Sequence, residues 1–255
     1  MSERFSTIVD DIELVGELFC PSKMDNTNPV LCICHGIPAA VPDPNDRGYP
    51  LLAEKFAEAG FITCIFNFRG CGESEGNLDL LDWTRDLDAI ITYLSGIEKV
   101  DRSRLSAMGF SGGAAVSACV AAKDDRITAL VLCACPAQFS IGTLHRKTED
   151  FVAQCRNTGT IRDDDFPASI EEWADHFQQV SPIGCIENIS PRPLLIIHGD
   201  SDETIPPDHA LQLFTFAGEP RELAMIPGGD HKLRKNRMAM DAALAWLKKI
   251  NGLAS

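Results

Sequence analysis

One serine lies where a strand, a tight turn and a helix follow each other. A short apolar strand within residues 104–113 runs into Gly109, Ser111 and Gly113, and a helix of small residues follows at 114–122. A turn this tight makes the serine side chain project above the edge of a sheet, and glycine on both sides leaves room for the crowded backbone. A hydroxyl presented in this way is typical of a nucleophile that attacks a carbonyl carbon and becomes acylated. Ser111 is therefore the first candidate catalytic residue.

The same spacing of two glycines around a serine occurs a second time, at residues 72–76 with Ser74 in the centre. No helix begins at this serine, and a glutamate stands on each side of it. These carboxylates would oppose the negative charge that develops in an acyl-transfer transition state. We therefore predict that Ser74 is an ordinary loop residue and that Ser111 is the nucleophile.

A serine nucleophile needs a histidine that accepts its proton and a carboxylate that holds the tautomer of that histidine. Two apolar strands supply such groups just past their ends. Asp200 and Asp202 follow the strand at 194–197, while Asp230 and His231 follow the next apolar strand. Consecutive residues on a turn rarely face each other, so Asp230 is interpreted as a turn residue. His231 is then the predicted base, with two aspartates as alternatives for the acid.

The other five histidines are less suited to act as the base. His35 and His198 each end a strand beside a glycine, a position that favours bracing of a loop by hydrogen bonds. The remaining three are interpreted as cap or surface residues, namely His145, His176 and His209.

Strand and helix patterns alternate over most of the chain. Residues 4–20 alternate loosely, as in a hairpin or edge strands, and the apolar run at 30–34 is typical of a buried parallel strand. The clearest helix lies at 79–95, where one apolar stripe is separated from acidic residues. Helices are also predicted at 50–59, 206–216 and 233–250, and strands at 61–68, 127–135, 193–198 and 222–226. This alternation predicts an α/β protein with a mostly parallel sheet and helices on both faces.

The alternation breaks down at residues 137–190, which we predict to be a cap inserted into a single domain spanning 1–255. The stretch is too long for a connecting loop and contains a helical pattern at 169–180. It leaves from the carboxyl end of a strand, where ligands of parallel sheets bind, so it should roof the crevice. Its aromatic side chains, Phe139 and Trp173 among them, would wall an apolar substrate pocket. The alternative is a helix packed on the side of the domain.

Five motifs together resemble the α/β-hydrolase superfamily, in its small esterase and prolyl-oligopeptidase-like, dienelactone-hydrolase-like branch. In chain order they are His35 to Ile37, Asn67 to Ser74, Gly109 to Gly113, His198 to Asp202 and Gly229 to His231. They span nearly the whole chain and occur in the order of that superfamily. The resemblance implies an α/β-hydrolase fold with a mostly parallel, eight-stranded type of sheet and a short helical cap.

The resemblance also implies a role for individual residues. The pattern His-Gly-x-x-Asp places the acid at Asp202, which completes a triad with Ser111 and His231. The turn around the serine offers the N–H of Gly112 to a developing oxyanion, and the superfamily pattern adds the N–H of Ile37. Size and cap length are similar to those of cinnamoyl esterases, although the cap holds no tyrosine that would contact a phenolic ring.

Composition limits the partners and the compartment that we expect. Thirty-seven acidic and 23 basic residues in a chain of 255 give a formal net charge of −14, which disfavours binding to nucleic acid or to a membrane. No apolar run approaches the roughly 20 residues of a membrane span, and an apolar signal core is missing from the first residues. Most of the ten cysteines lie inside apolar runs, as free thiols do. We expect a cytoplasmic protein.

Motifs for metals and cofactors are missing from the sequence. It contains no Cys-x-x-Cys pair, no dinucleotide-binding glycine motif between a strand and a helix, and no phosphate-binding loop. We therefore expect neither a metal nor a cofactor.

The predicted activity is that of a serine hydrolase that cleaves small carboxylic esters through an acyl-enzyme. An aminopeptidase or acylaminoacyl-type peptidase, or a thioesterase, would use the same groups, and the acidic run at 163–165 would suit the amine of a peptide-like substrate. A catalytically silent binding protein with the same fold is the alternative from a different class. The sequence leaves the oligomeric state open, with a homodimer as one alternative.

Overall fold

The computed structural model describes residues 2–40, 46–139 and 148–254. The strands are β1 (Ser2–Val9), β2 (Ile12–Phe19), β3 (Asn28–Cys34), β4 (Ile62–Phe66), β5 (Val100–Phe110), β6 (Ala129–Cys133), β7 (Leu194–Gly199) and β8 (Arg221–Ile226). The helices are α1 (Gly48–Glu58), α2 (Leu80–Gly96), α3 (Gly112–Ala121), α4 (Thr148–Asn157), α5 (Ile170–Gln179), α6 (Asp208–Phe216) and α7 (Arg237–Ile250). Short 3-10 segments lie at Pro182–Gly184, Ile186–Ile189 and Leu233–Lys235.

The described strands form one eight-stranded sheet in the order β1-β2-β4-β3-β5-β6-β7-β8. β1 and β2 form an antiparallel hairpin, and β2 also pairs with β4 in the antiparallel sense. All pairs from β4 through β8 are parallel. The predicted mostly parallel sheet is therefore confirmed, with the predicted hairpin at one edge. The carboxyl ends of β5, β7 and β8 meet at one edge of the sheet, which brings the residues after them together.

Apolar residues cover both faces of this sheet. Successive side chains of a strand point to opposite faces, so the fully buried β3 contributes Val30 and Cys32 to one core and Leu31 and Ile33 to the other. The first core lies under α2, α3 and α6, and the second lies under α1 and α7. This double burial explains why the central strands are continuous apolar runs.

The predicted cap region, residues 137–190, contains α4, α5 and two 3-10 segments among the residues described. Residues 140–147, including the predicted cap or surface residue His145, lie outside the described residues. α5 packs on the beginning of α2, because Trp173 Nε1 donates to the Leu78 carbonyl at 2.8 Å and His176 Nδ1 lies 2.6 Å from Asp79 Oδ2. Whether this region acts as a cap over a substrate stays a prediction.

Local hydrogen bonds set several element boundaries. Asp79 precedes α2, and its side chain accepts from the backbone N–H groups of Leu81 and Asp82. A helix was predicted from residue 233, but α7 begins only after Asn236, whose side chain accepts from the Ala239 N–H. A side chain that satisfies a free N–H group in this way starts the helix at its own position.

None of the helices in the described ranges combines the length and the apolar character that a crossing of the membrane requires.

Candidate active site

Ser111 lies on the turn between β5 and α3 in a backbone conformation that amino acids with side chains rarely adopt. Its φ is 51° and its ψ is −121°. Conformations of this kind cost on the order of 1–3 kcal/mol and persist only where surrounding contacts hold them. Here the Ser111 N–H donates to the Cys133 carbonyl of β6 at 2.9 Å, and the Ala115 N–H donates to the Ser111 carbonyl at 3.1 Å. The neighbouring strand and the first turn of α3 therefore fix the serine in place.

The glycines around the serine allow backbone segments to approach closely. A Cβ atom on Gly109 would lie 2.4 Å from the Cα of Ala114, and one on Gly113 would lie 2.1 Å from the His35 carbonyl oxygen. Neither backbone atom can move aside cheaply. Glycine is therefore required at both positions, which supports the interpretation of the spacing as a tight strand-to-helix turn.

The structure brings Ser111, His231 and Asp202 into one hydrogen-bonded chain. His231 Nε2 lies 3.0 Å from Ser111 Oγ, and His231 Nδ1 lies 2.8 Å from Asp202 Oδ2. With the proton on Nδ1 donated to the carboxylate, Nε2 is free to accept the proton of the serine hydroxyl. The three groups come from the loops after β5, β7 and β8. These strands are parallel and lie in one half of the sheet, so the loops at their carboxyl ends are close to one another.

The surroundings of Asp202 stabilise its charged, carboxylate form although its side chain is inaccessible to solvent. Burial acts to raise its pKa, but hydrogen bonds from His231 and from the backbone N–H groups of Ile205 and Thr204 outweigh it, so the pKa is lowered. Both backbone groups donate to Oδ1 at 2.9 Å. The two carboxylate oxygens thus have separate partners, and Oδ2 is left to orient the histidine.

The competing aspartates have other partners. Asp200 is exposed, and its Oδ1 accepts from the Gly228 N–H at 2.7 Å. Asp230 is also exposed, and its Oδ1 accepts from the Lys232 N–H at 2.9 Å. Asp200 therefore connects the loop after β7 to the loop that carries the histidine, and Asp230 stabilises a turn, as predicted.

The segment after β3 passes directly over the turn that carries the nucleophile. A Cβ atom on Gly36 would lie 3.1 Å from Ser111 Cβ, and one on Gly112 would lie 2.9 Å from Ile37 Cγ1 and 3.7 Å from Ile37 N. Gly112 opens α3, and N–H groups in the first turn of a helix have no acceptor within the helix. Gly112 thus lies next to Ile37, and the role of their backbone N–H groups as an oxyanion hole stays a prediction.

His35 and His198 brace loops, the role predicted from their positions. The ring of His35 contacts the Gly36 carbonyl through Nδ1 at 2.8 Å and accepts the Phe68 N–H through Nε2 at 3.1 Å. His198 Nε2 lies 2.8 Å from the Ile205 carbonyl and 3.5 Å from Asp202 Oδ2. Burial lowers the pKa of both rings, so both are neutral near pH 7.

His209 has a contact that the sequence did not reveal. Its Nδ1 accepts the N–H of Ala137 at 3.0 Å, so a half-buried residue in the first turn of α6 anchors the first residue of the predicted cap. Burial lowers its pKa, and the neutral ring suits this acceptor role. The sequence places His209 near the start of a predicted helix. No pattern around it indicates a contact with Ala137, which is 72 positions away.

Ser74 is fully buried and its hydroxyl is occupied. The Oγ atom donates to the Asn67 carbonyl at 2.6 Å and accepts the Val15 N–H at 2.9 Å. These bonds fasten the loop after β4 to β2. They support the prediction that Ser74 has a structural role.

The two aromatic residues predicted to line a substrate pocket differ in exposure. Trp173 is only 2% exposed and packs edge-on against Phe177 at 4.8 Å between ring centroids. Phe139 is half-buried and lies 5.7 Å from the same ring. Both therefore belong to one aromatic cluster under α5, and only Phe139 keeps appreciable exposure. Contact of either with a substrate stays a prediction.

Within residues 2–40, 46–139 and 148–254, no three acidic, histidine or cysteine side chains are grouped so that they would hold a metal ion.

The fold and the arrangement of these groups define an α/β hydrolase. Among solved structures, the α/β hydrolase GrgF from Penicillium sp. sh18 superposes with a TM-score of 0.77 over 99% of this chain and 100% of that one, at 19% identity. A family model described as the prolyl oligopeptidase family matches residues 51–253, and the chain belongs to that family.

Two further comparisons place the chain among related proteins. It is 29% identical over 182 residues to the uncharacterized protein YfhR of Escherichia coli O157:H7, a match that spans 71% of this chain but only 56% of YfhR. Est1E from Butyrivibrio proteoclasticus with bound ferulic acid is similar in fold, with a TM-score of 0.71, 20% identity and 96% coverage of both chains. The predicted α/β-hydrolase superfamily is therefore confirmed, and the chain is a member of a family of hydrolases.

Proposed function

We propose that this protein is a serine hydrolase that cleaves small carboxylic esters through an acyl-enzyme intermediate. The observation that carries the proposal is the position of His231, which lies 3.0 Å from Ser111 Oγ on one side and 2.8 Å from Asp202 Oδ2 on the other. This is the arrangement that a neutral serine needs to become a nucleophile.

In the proposed reaction, Ser111 Oγ attacks the ester carbonyl carbon while His231 Nε2 takes the hydroxyl proton. Asp202 stabilises the imidazolium that forms. The N–H groups of Gly112 and Ile37 stabilise the oxyanion of the tetrahedral intermediate. His231 then gives its proton to the leaving alkoxide, which leaves Ser111 acylated. A water molecule, deprotonated by the same histidine, then attacks the acyl carbon. The bond between this carbon and Ser111 Oγ breaks, His231 returns the proton to Oγ, and the carboxylic acid is released.

Two observations favour an ester over a peptide as the substrate. Ferulic acid, a carboxylic acid that an ester would release, is bound to the structurally similar Est1E. The acidic run at 163–165, the candidate anchor for a peptide amine, is partly occupied, because Asp163 Oδ2 accepts from Asn77 Nδ2 at 2.7 Å. Peptide cleavage remains the second candidate function because the family model is named for an oligopeptidase.

The test is a panel of chromogenic esters of increasing acyl length, assayed beside aminoacyl and acylaminoacyl amides and thioesters. We expect the highest kcat/KM on short esters, with no more than background hydrolysis of the amides. Measurements with the Ser111→Ala protein in parallel subtract any hydrolysis by contaminating enzymes. Faster cleavage of the amides would replace the esterase proposal with a peptidase, and failure to cleave the whole panel would favour the silent binding protein.

The aromatic cluster under α5 gives a further prediction about acyl preference. Phe139→Ala should change the relative kcat/KM across acyl lengths by roughly 10- to 200-fold, because apolar contacts discriminate by about 1–3 kcal/mol per methylene. Trp173→Ala is the matched variant from the same cluster. Since Trp173 is buried and bonded to Leu78, its loss should mainly lower the free energy of unfolding, by about 3–5 kcal/mol.

Acyl-length profiles and urea denaturation of both variants distinguish these roles. An unchanged profile in Phe139→Ala would mean that this cluster serves packing alone. The acyl pocket would then have to lie at the loop of residues 37–49, of which 41–45 fall outside the described residues.

A further inference from the structure

Two free cysteines from distant parts of the chain lie in direct contact. Cys119 is in the last turns of α3, and Cys185 is the residue between the two 3-10 segments that follow α5. Their Sγ atoms are 3.6 Å apart although 66 positions separate them in sequence. The pair therefore joins the helix that begins at the nucleophile to the end of the region predicted to be the cap.

The surroundings of the pair favour reaction at Cys185. Cys185 is half-buried, whereas Cys119 is 9% exposed. Contact with the Cys119 thiol and the nearby ammonium group of Lys123 lower the pKa of the Cys185 thiol, against the effect of burial. The same contact and burial raise the pKa of Cys119. Since the thiolate is the form that reacts with oxidants, the two residues are suited to different steps.

We propose that Cys119 and Cys185 are a redox modification site, in which a peroxide converts the two thiols to a reversible disulfide between α3 and the end of the cap region. In the first step the Cys185 thiolate attacks one oxygen of hydrogen peroxide, and the O–O bond breaks to leave a sulfenic acid and hydroxide. In the second step the Cys119 sulfur attacks the Cys185 sulfur, and the S–O bond breaks. The proton of the Cys119 thiol and one further proton convert the released oxygens to two water molecules. The two sulfurs together lose two electrons, which reduce the peroxide.

Because of the contacts around Cys185, the disulfide would restrict the movement of the predicted cap relative to α3. The segment Pro182–Gly184 immediately before it is tied to the start of the cap region, because the Ile183 N–H donates to the Ala137 carbonyl at 2.8 Å. A bond from Cys185 to Cys119 would therefore fasten both ends of residues 137–190 to α3, the helix that begins directly after the nucleophile. It would close a loop between two residues that are 66 positions apart, which restricts the unfolded chain and so stabilises the folded state relative to it.

A third thiol is the natural competitor. Cys135 is fully buried beside the pair, and burial raises its pKa well above the usual range for a thiol. It is protonated at neutral pH and shielded from solvent, so it should be slow to react with a peroxide. The proposal therefore requires that oxidation joins Cys185 to Cys119 and not to Cys135.

The experiment treats the intact protein with a small excess of hydrogen peroxide, blocks the remaining thiols and maps the peptides by mass spectrometry without reduction. We expect two of the ten thiols to be lost, one cross-linked peptide pair containing Cys119 and Cys185, and full reversal by dithiothreitol. The oxidised protein should melt roughly 5–10 °C higher than the reduced one. Cys185→Ser should lose both the cross-link and the shift in Tm, whereas the half-exposed control Cys20→Ser should keep both.

Three results would overturn the proposal: a cross-link that contains Cys135, oxidation of Cys185 to a sulfinic acid without a cross-link, or retention of all ten thiols. Because the readout is a covalent mass, it does not depend on whether the protein cleaves esters.

Discussion

Replacing Ser111 with alanine is expected to lower kcat for the best ester by a factor of about 10⁴–10⁶. The variant would keep the two proposed oxyanion donors and His231 but would have no atom that can be acylated. Alanine also lacks any bulk beyond the Cβ of serine, so the turn with its φ of 51° should persist. Steady-state kinetics, together with a circular dichroism spectrum that matches the parent protein, provides the measurement.

Ser74→Ala is the matched control, since Ser74 stands in the same pattern of glycines. Its loss leaves the half-buried Val15 N–H without the acceptor that the buried Ser74 hydroxyl supplies, so the free energy of unfolding should fall by about 1–3 kcal/mol. At a temperature well below the melting point, kcat should stay within a factor of about 2 of the parent value, because such a loss of stability leaves the folded state dominant. A collapse of activity in Ser74→Ala with activity retained in Ser111→Ala would reverse the assignment of the nucleophile.

Asp202→Asn should lower kcat by about 10⁴ without unfolding the protein. The reason lies in how the two carboxylate oxygens are used. Oδ1 accepts two backbone N–H groups, from Thr204 and Ile205, so the oxygen of an asparagine would stay there and its NH₂ group would face His231 Nδ1. Nδ1 would then have to accept, the ring proton would move to Nε2, and the base could no longer take the proton of Ser111.

Asp200→Asn is the control for this substitution. The asparagine oxygen can still accept the Gly228 N–H, so the loop that carries His231 should keep its position. We expect kcat within about 10-fold of the parent enzyme, because the substitution removes a charge from two exposed hydrogen bonds, from Gly228 and Ser201, that the asparagine oxygen can still accept. Measuring kcat and kcat/KM for both variants on one ester decides between the two aspartates. Normal activity in Asp202→Asn with a large loss in Asp200→Asn would exchange their roles.

Elements with strong local signals could be predicted from the sequence. The apolar stripe of α2 and the continuous apolar run of β3 are the direct consequence of burial on one face and on both faces. The ends of both elements lie within two residues of the predicted ends. α4 was not predicted, because only Val152 and Cys155 of its ten residues are buried. So thin an apolar stripe cannot be told from a polar loop by periodicity.

The candidate catalytic groups could also be found from the sequence, since each lies within five residues of the end of an apolar strand. What could not be predicted are contacts between distant residues, which depend on how the helices pack. The hydrogen bond from Ala137 to His209 and the burial of Trp173 against Leu78 belong to this class. The contact between the sulfur atoms of Cys119 and Cys185 also belongs to this class, because no sequence motif links the two segments that contain them.

The central claim is that Ser111 is a nucleophile activated by His231, and labelling with a fluorophosphonate tests it most directly. Such a probe phosphonylates only a serine whose proton is removed by a neighbouring base, and it requires no knowledge of the substrate. The account predicts one adduct per chain, mapped by mass spectrometry to the peptide with Ser111, absent in Ser111→Ala and formed far more slowly in His231→Ala. An adduct on Ser74, or no adduct on the folded protein, would contradict it.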